Sequence, residues 1–192
     1  MSMNIQLINS NQWDSIESIY MEAFPKHERK PFRSIQKSVN KKRAQLFVAS
    51  EANEVLGFIL CFIKDNLVLV DYLAVNQNIR GKGTGSKLIQ YIKDIYTNHK
   101  IVLLIEQVVE SASNYTQRVA RKKFYLTNGF NSSSLFIDGS SGVMEILNYG
   151  SKISGKEFLS IYKFALSPLY YYLSKVKLIT QIITTRKTGG LN

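Results

Sequence analysis

Apolar positions at the start of the chain recur first at strand spacing and then at helix spacing. Met3–Ile8 is predicted to form a short strand, and Trp13–Phe24 carries apolar residues along one helical face. Asn11, with Asp14 three residues later, has the spacing of a capping box at the start of this helix. After a polar turn, Pro31–Lys42 is predicted to form a second, more basic helix.

Three apolar and partly β-branched runs follow the two helices. They cover Leu46–Ser50, Val55–Ile63 and Leu67–Val75, and short polar segments separate them. Runs of this length and composition between polar turns are typical of strands. The spacing predicts three strands in an antiparallel meander.

The second half of the chain alternates between helix and strand patterns. Helical stripes are predicted over Thr84–Asn98 and Tyr115–Thr127, with a buried strand over Ile101–Val108 between them. Ser134–Asp138 and Val143–Tyr149 then flank a glycine-containing turn and predict a hairpin. The order is strand, two helices, three strands, helix, strand, helix and two strands. It predicts one mixed α/β domain, layered in the α+β manner, over residues 1–150.

Residues 151–192 go beyond this pattern and form a predicted C-terminal helical extension. Apolar and aromatic residues at helical spacing alternate with lysines as far as Val176, and Ser167-Pro168 interrupts them. Arg186–Asn192 is predicted to be a frayed tail. The pattern favours packing on the domain or on a second copy in a homodimer, with contact to an anionic membrane as the third alternative.

Composition and charge limit the classes of partner. The 192 residues are 45% apolar and 20% charged, which is enough to bury a core around a ligand. The formal charge of +11 attracts anions such as nucleic acid, anionic lipid or a phosphorylated ligand, although a solvated basic surface explains it equally well. No nucleic-acid-binding motif accompanies the charge, so no specific nucleic acid is expected as a partner.

Cysteine content and hydropathy bear on the compartment. Cys61 is the only cysteine, so we expect neither an internal disulfide nor a metal site built from cysteine and histidine. No apolar run reaches the ~18 residues of a membrane span, and the first residues have no signal-peptide pattern. We therefore expect a cytoplasmic protein without a transmembrane segment.

A glycine-rich turn, Arg80–Gly85, lies between a predicted strand and a predicted helix. Glycine lets the backbone approach a ligand closely, and the helix N-terminus presents unpaired N–H groups, so this turn is a candidate phosphate site. Ser86 excludes a P-loop, which needs lysine after the last glycine, and Ser86 and Leu88 exclude a dinucleotide fingerprint. The remaining pattern, Arg/Gln-x-x-Gly-x-Gly/Ala, is that of an acyl-CoA turn, and the chain matches it in full.

Two motifs together resemble the GNAT superfamily of acyl-CoA N-acyltransferases. Tyr72–Val75 followed by Arg80–Gly85 is similar to the family's cofactor motif, and Phe124–Phe130 is similar to its second signature. The resemblance covers roughly Leu46 to Tyr149. It implies a mostly antiparallel twisted sheet with helices on both faces. It also implies direct transfer of an acetyl group from acetyl-CoA, as cosubstrate, to a primary amine. The charge leaves one alternative open, a catalytically inactive basic protein that binds CoA or nucleic acid on the same fold.

The resemblance also implies roles for individual residues. The backbone around Leu73 pairs with the pantetheine arm, the glycine turn holds the pyrophosphate, and Tyr125 donates a proton to the departing sulfur. The expected cofactor-binding residues are Leu73, Ala74, Val75, Arg80, Gly81, Lys82, Gly83, Thr84, Gly85 and Ser86. One position departs from the family. Arg118 stands where many members have an asparagine that contacts the cofactor, and Asn114 lies one turn earlier.

Three carboxylates are candidates for the base that deprotonates the amine. Glu106 comes first, because strand alternation places it on an apolar face, where a desolvated carboxylate is a stronger base. Alternation also places Asp71 on a face with Leu69 and Leu73. Glu28 lies in the turn between the first two helices. A chain of water molecules is a fourth alternative.

Overall fold

The computed structural model describes residues 3–139, 142–166, 171 and 174–180. Within these ranges the chain forms eight strands in one sheet and five α-helices. The strands are β1 Asn4–Leu7, β2 Ala44–Glu51, β3 Glu54–Lys64, β4 Leu67–Val75, β5 Lys100–Glu106, β6 Asn131–Gly139, β7 Gly142–Tyr149 and β8 Lys177–Thr180. The helices are α1 Trp13–Ala23, α2 Phe32–Asn40, α3 Thr84–Ile95, α4 Tyr115–Thr127 and α5 Gly155–Ala165.

The sheet has the strand order β1-β2-β3-β4-β5-β7-β6-β8. Neighbouring strands are antiparallel except β4 and β5, which run parallel. A parallel pair needs a crossover connection, and α3 lies in the one that joins β4 to β5. The predicted antiparallel meander of β2, β3 and β4 is confirmed.

Two hydrophobic clusters lie on opposite faces of the sheet because side chains alternate along each strand. On β2, Leu46 and Val48 belong to the first cluster, whereas Phe47 and Ala49 belong to the second. Helices α1, α2 and α5 cover the first cluster, and α3 and α4 cover the second. This confirms the predicted mixed, mostly antiparallel sheet with helices on both faces.

The start of α1 differs from the prediction. A short 3₁₀ turn over Ser10–Gln12 precedes the helix, and the capping box is formed by Asn9 and Gln12 rather than by Asn11 and Asp14. The Asn9 N–H donates to Oε1 of Gln12 at 2.9 Å. Asn and Gln form the same reciprocal pair as Ser and Glu, so the capping box lies two residues earlier than expected.

The described part of the C-terminal segment contacts the sheet. Phe158 and Ile161 of α5 are fully buried in the first cluster. Helix α5 ends at Ala165, and β8, which the sequence pattern did not predict, pairs with β6. The expected break at Ser167-Pro168 and the expected tail Arg186–Asn192 lie outside the described residues. In the described ranges, no helix combines the length and the apolar character needed to cross a membrane.

A capping box fixes the start of α5. Ser154 and Glu157 exchange hydrogen bonds, and Nζ of Lys100 in β5 donates to Oε1 of Glu157 at 2.6 Å. Lys100, and then the backbone and hydroxyl of Ser154, lower the pKa of Glu157 to about 2. The helix start is therefore joined to the sheet through one carboxylate.

Glu157→Gln is expected to destabilise the protein by about 1 kcal/mol at neutral pH, because glutamine can keep the capping box but loses the ion pair with Lys100 and the negative charge at the helix N-terminus. That corresponds to a fall of about 2–4 °C in Tm for a chain of this size. The folded pKa lies below the unfolded value of about 4.3, so the stabilisation is present above that value. It fades as pH falls from about 4.3 toward about 2. Tm of parent and variant, measured from pH 7 downward, should converge there. Glu17→Gln, on the exposed side of α1, is the control with an unchanged Tm.

Candidate active site

The central feature of the site is an opening between β4 and β5. The last pair of their parallel ladder is Val70 with Leu103. Beyond it, β4 continues to Val75 beside β3, whereas β5 continues beside β7. Among the described residues, Asp71–Val75 therefore has no strand partner on the side that faces β5. An edge of this kind can pair with an extended ligand as it would with an added strand.

A β-bulge at Asp71 lies at the apex of this opening. In the ladder between β3 and β4, Leu60 pairs with Tyr72 and the next residue, Cys61, pairs with Val70. Asp71 is the extra residue between these two pairs. Bulges bend a strand and redirect its side chains, and they are common beside active sites.

The bulge overturns one expectation from strand alternation. Asp71 was expected to share a face with both Leu69 and Leu73. In the structure, Leu69 belongs to the first cluster and Leu73 packs against the second. After the bulge, the side chains of β4 therefore point to the opposite face of the sheet from the one that simple alternation predicts. One inserted residue inverts the faces of all residues that follow.

The glycine turn leads directly into α3. Gly81 and Gly83 have φ of +83° and +82°, which side chains rarely adopt, and Gly83 is the N-cap of α3. The first intrahelical bond runs from Lys87 N–H to the Gly83 carbonyl at 3.0 Å. The N–H groups of the three residues before Lys87 have no partner within the helix, and the first turn of α3 has no acidic residue. This backbone is suited to binding an anion.

The space in front of the turn is open. Within the described ranges, a Cβ placed on Gly81 or Gly83 would have no atom within 4 Å, whereas a Cβ on Gly85 would lie 3.2 Å from Cζ of Phe124. The turn is therefore open to solvent on one side and packed against α4 on the other. The Arg80 side chain is directed elsewhere, because its guanidinium lies 3.6 Å from Glu22 of α1.

Tyr125 lies near the C-terminal end of α4, on the same face of the sheet as Leu73. Its ring packs against Phe124 and Phe130, with centroids at 5.1 and 5.7 Å. Its hydroxyl makes no hydrogen bond to any described residue. Burial raises the pKa of Tyr125 to about 12, and the guanidinium of Arg121 acts in the opposite direction. The structure thus brings Leu73, the glycine turn and Tyr125 to one side of the opening.

Glu106 has surroundings other than those expected. Its carboxylate lies 2.9 Å from the Arg118 guanidinium, and it accepts hydrogen bonds from Arg121 at 3.0 Å and from the Asn114 amide at 3.2 Å. The expected unpartnered carboxylate on an apolar face is therefore a carboxylate held by two guanidinium groups of α4. Arg118, the departure from the family pattern, also donates to the Gln107 carbonyl at 2.8 Å.

Asp71 is likewise paired. Nζ of Lys30 lies 2.8 and 2.7 Å from its two oxygens. Lys30 is in the loop between α1 and α2, and Glu28 in the same loop accepts a hydrogen bond at its carbonyl from the Tyr72 hydroxyl at 3.0 Å. Asp71 was a candidate from the sequence, but Lys30 was not recognised as its partner. A charge within a buried strand needs an opposite charge nearby, and this rule could have pointed to such a partner.

A further buried carboxylate, Glu145 in β7, was also missed. It is 2% exposed and accepts from Nζ of Lys122 in α4 at 3.0 and 2.7 Å. The pair lies in a cleft of about 220 Å³ that Gln107, Ser132 and other residues of β6 line. A glutamate between apolar residues of a predicted strand was the signal that could have identified it.

Comparisons with known proteins agree with this geometry. A family model described as the Acetyltransferase (GNAT) family matches residues 13–125, more than half of the chain. The sequence comparison with curated proteins gives no match. One solved structure, a protein from Bacteroides thetaiotaomicron described as a GNAT-family acetyltransferase, superposes with a TM-score of 0.69. It is 19% identical, and the alignment covers 91% of this chain and 99% of that chain.

Two further structures have the same fold. The ribosomal-protein-S18-alanine N-acetyltransferase of Escherichia coli has a TM-score of 0.61 at 14% identity, covering 81% of this chain and 97% of that one. A Bacillus subtilis acetyltransferase in complex with CoA has a TM-score of 0.60 at 14% identity, covering 78% and 99%. At these identities the structures support the fold alone. Together with the family model, they confirm the predicted family and enzyme class: the chain belongs to the GNAT family of acetyltransferases.

Proposed function

We propose that the protein transfers an acetyl group from acetyl-CoA directly to a primary amine. The observation that carries the proposal is the free edge of Asp71–Val75, which opens next to an uncovered glycine turn at the N-terminus of α3. An extended arm with a phosphate group at one end fits this combination. The edge supplies backbone pairing, and the turn supplies N–H groups and a helix dipole.

The residues present fit acetyl-CoA. Leu73, Ala74 and Val75 would pair with the pantetheine arm. Gly81 and Gly83 leave the space that a side chain would fill, so the pyrophosphate can approach the backbone. The proposed pyrophosphate site comprises Gly81, Lys82, Gly83, Thr84, Gly85 and Ser86, and Lys82 adds positive charge. Arg80, which the family resemblance also implies at this site, lies beside Glu22 of α1 in the structure. In the described ranges, no group of three or more His, Cys, Asp or Glu side chains could hold a metal ion.

The chain's own groups then have distinct tasks. When bound, acetyl-CoA supplies the thioester, and a bond forms between the amine nitrogen and the acetyl carbon as the carbon–sulfur bond breaks. The backbone N–H near Leu73 would polarise the carbonyl, and the Tyr125 hydroxyl would donate toward the departing sulfur. Glu106 is the proposed acceptor of the amine proton.

The direct test is a panel of amines assayed by release of the free CoA thiol. The panel should contain alkylamines, diamines, peptide N-termini, lysine peptides and aminoglycosides, each with acetyl-CoA and purified protein. We expect at least one acceptor to release thiol well above the rate of thioester hydrolysis without acceptor. Acetyl-CoA binding without acceptor-dependent release for any amine would instead support an inactive CoA-binding protein.

Glu106→Gln is expected to lower acyl transfer on the order of 10²-fold below neutral pH, and less near pH ~9. At low pH more of the amine is protonated, so removal of its proton limits the rate. Acetyl-CoA binding should stay intact because Glu106 belongs to neither the free edge of β4 nor the glycine turn. The measurement is kcat/KM against pH on an acceptor from the panel, with acetyl-CoA affinity by calorimetry.

Arg121→Gln is the matched control, since it removes one guanidinium from the same ion pair but keeps the carboxylate. If Glu106 is the base, Arg121→Gln retains most of the activity. Equal losses in both variants would make Glu106 a residue that only fixes α4. Full activity of Glu106→Gln, with a fall in kcat rather than only a rise in KM in Asp71→Asn or Glu28→Gln, would move the role to that residue.

A further inference from the structure

The ion pair between Lys30 and Asp71 has the geometry of a bound ligand cation. Both carboxylate oxygens of Asp71 lie within 2.8 Å of Nζ of Lys30. The same nitrogen lies 5.6 Å from the ring centroid of Phe62 and 5.8 Å from that of Tyr72. A carboxylate combined with aromatic rings is a recognised environment for an alkylammonium group.

Solvent reaches this site from one side. The Lys30 side chain is 31% exposed, whereas the Asp71 side chain is 13% exposed. The carboxylate is thus largely desolvated while the ammonium that covers it borders water. A cation from solution can replace that ammonium without any change in the core of the sheet.

The loop that delivers Lys30 is fixed by two tyrosines. The Tyr20 hydroxyl donates to the Lys30 carbonyl at 3.0 Å, and the Lys30 N–H donates to the Tyr72 hydroxyl at 3.2 Å. The backbone of Lys30 is therefore held above β4, and only its flexible side chain reaches Asp71. The side chain can leave the site while the backbone stays in place.

The site lies at the apex of the opening between β4 and β5. Val70 forms the last pair with β5, and Asp71 follows it directly as the bulged residue. Leu73, where the proposed pantetheine edge begins, is two residues further, at most about 7 Å along an extended strand. An ammonium group at Asp71 is therefore next to the proposed acyl site, on the face that α1, α2 and α5 cover.

We propose that Asp71 recognises an alkylammonium group of the acceptor and that Lys30 occupies this site until the acceptor replaces it. That the bound amine is the acetyl acceptor rests on the proposed function, whereas the ammonium site itself rests on the geometry of the ion pair. It assigns the acceptor a class, a primary alkylamine with an apolar stem like that of Lys30. The amine binds as its ammonium and gives one proton to Glu106, the base of the proposed function, before its nitrogen attacks the acetyl carbon. Lys30 then acts as an internal competitor that lowers the apparent affinity of the site for the acceptor.

Competition predicts opposite effects for the two partners. Lys30→Ala removes the competitor, so KM for an alkylamine acceptor is expected to fall about 10-fold, the value of one charge-assisted hydrogen bond. Asp71→Asn removes the recognising charge, so KM is expected to rise about 10-fold or more. Lys30→Arg keeps a competing cation and should stay near the parent. A purely structural ion pair would move KM of Lys30→Ala and Asp71→Asn in the same direction.

A second experiment needs no acyl transfer. Lys30→Ala leaves room for a three-carbon amine, because the variant keeps Cβ and loses the three outer carbons and Nζ. We therefore expect n-propylammonium chloride, without acetyl-CoA, to raise Tm of this variant. The rise should exceed that in sodium chloride of equal ionic strength. The parent, whose site is filled, and the double variant Lys30→Ala/Asp71→Asn, which lacks the carboxylate, should respond to the two salts alike.

The two experiments separate the inference from the proposed function. The same response to propylammonium in all three proteins would overturn the ammonium site, whatever the thiol assay gives. A specific response of Lys30→Ala, with no acyl transfer to any amine, would keep the ammonium site and overturn the proposed function. A specific response with unchanged KM values in the variants would overturn the role of Asp71 in acceptor recognition.

Discussion

Gly83→Val is expected to abolish the stabilisation of the protein by acetyl-CoA. For the parent, acetyl-CoA at roughly 100 times its Kd should add about 2.7 kcal/mol to the free energy of unfolding. In the variant, the valine side chain projects into the open space in front of the turn, where the pyrophosphate must approach the backbone. The variant should therefore show the same Tm with and without acetyl-CoA.

Backbone strain also lowers stability, so this prediction needs a control. A β-branched residue at φ of +82° costs about 1–2 kcal/mol by itself. Gly142, at the start of β7, has φ of +83°, and a Cβ there would also have no atom of a described residue within 4 Å. Gly142→Val should lose similar stability but keep the full acetyl-CoA shift. If Gly83→Val folds and still binds acetyl-CoA like the parent, the turn has been assigned to the wrong ligand.

The turn and the helices around it could be predicted because their signals are local. Gly81 and Gly83 have positive φ, a conformation that glycine adopts far more readily than other residues, so the residue type itself indicates the turn. The predicted bounds of α4 match those observed, since Gly129, with φ of +79°, follows the helix as a glycine C-cap does. Local requirements of this kind do not depend on which distant segments pack together.

Partners across the sheet could not be predicted. Lys30 and Asp71 are 41 residues apart, and Arg121 and Glu106 are 15 apart, and their pairing depends on the tertiary fold. Strand alternation identified both carboxylates as unusual but not as ion-paired. Buried charges usually have oppositely charged partners. This rule is more general than the inference, from strand alternation, that a carboxylate among apolar residues has an apolar environment.

The bulge and β8 were missed for a different reason. One extra residue at Asp71 leaves the apolar alternation of β4 almost unchanged in sequence, although it inverts the faces of every residue that follows. Lys177–Thr180 is a strand of four residues, too short for its period to be distinguished from that of a helix. In both cases pairing with a neighbouring strand, rather than local sequence, determines the structure.

Tyr125 combines three properties that make its hydroxyl a useful probe of the chemistry. Its ring packs against Phe124 and Phe130, so phenylalanine can replace it without a cavity. Its hydroxyl has no hydrogen-bond partner among the described residues, so its removal leaves no described group unpaired. Burial raises its pKa to about 12, above the ordinary value of about 10, so it stays protonated throughout the neutral and mildly alkaline range.

A hydroxyl of this kind assists as charge builds on the departing sulfur, whose thiol has a pKa of about 8.5. The benefit therefore falls on kcat more than on cofactor affinity. We expect Tyr125→Phe to lower kcat on the order of 10²-fold, at the lower end for a general acid, with acetyl-CoA binding and Tm nearly unchanged.

Steady-state kinetics on an acceptor from the panel, at pH values from about 7 to about 10, measures this effect. Because Tyr125 titrates near pH 12, the ratio of parent to variant should stay constant across that range. A tyrosine with the ordinary pKa would lose about half its advantage at pH ~10. Tyr149→Phe is the matched control, since Tyr149 also packs on Phe130 in the second cluster, and it should keep the parent's kcat. A Tyr125→Phe variant within a factor of ~2 of the parent would reduce Tyr125 to a packing residue.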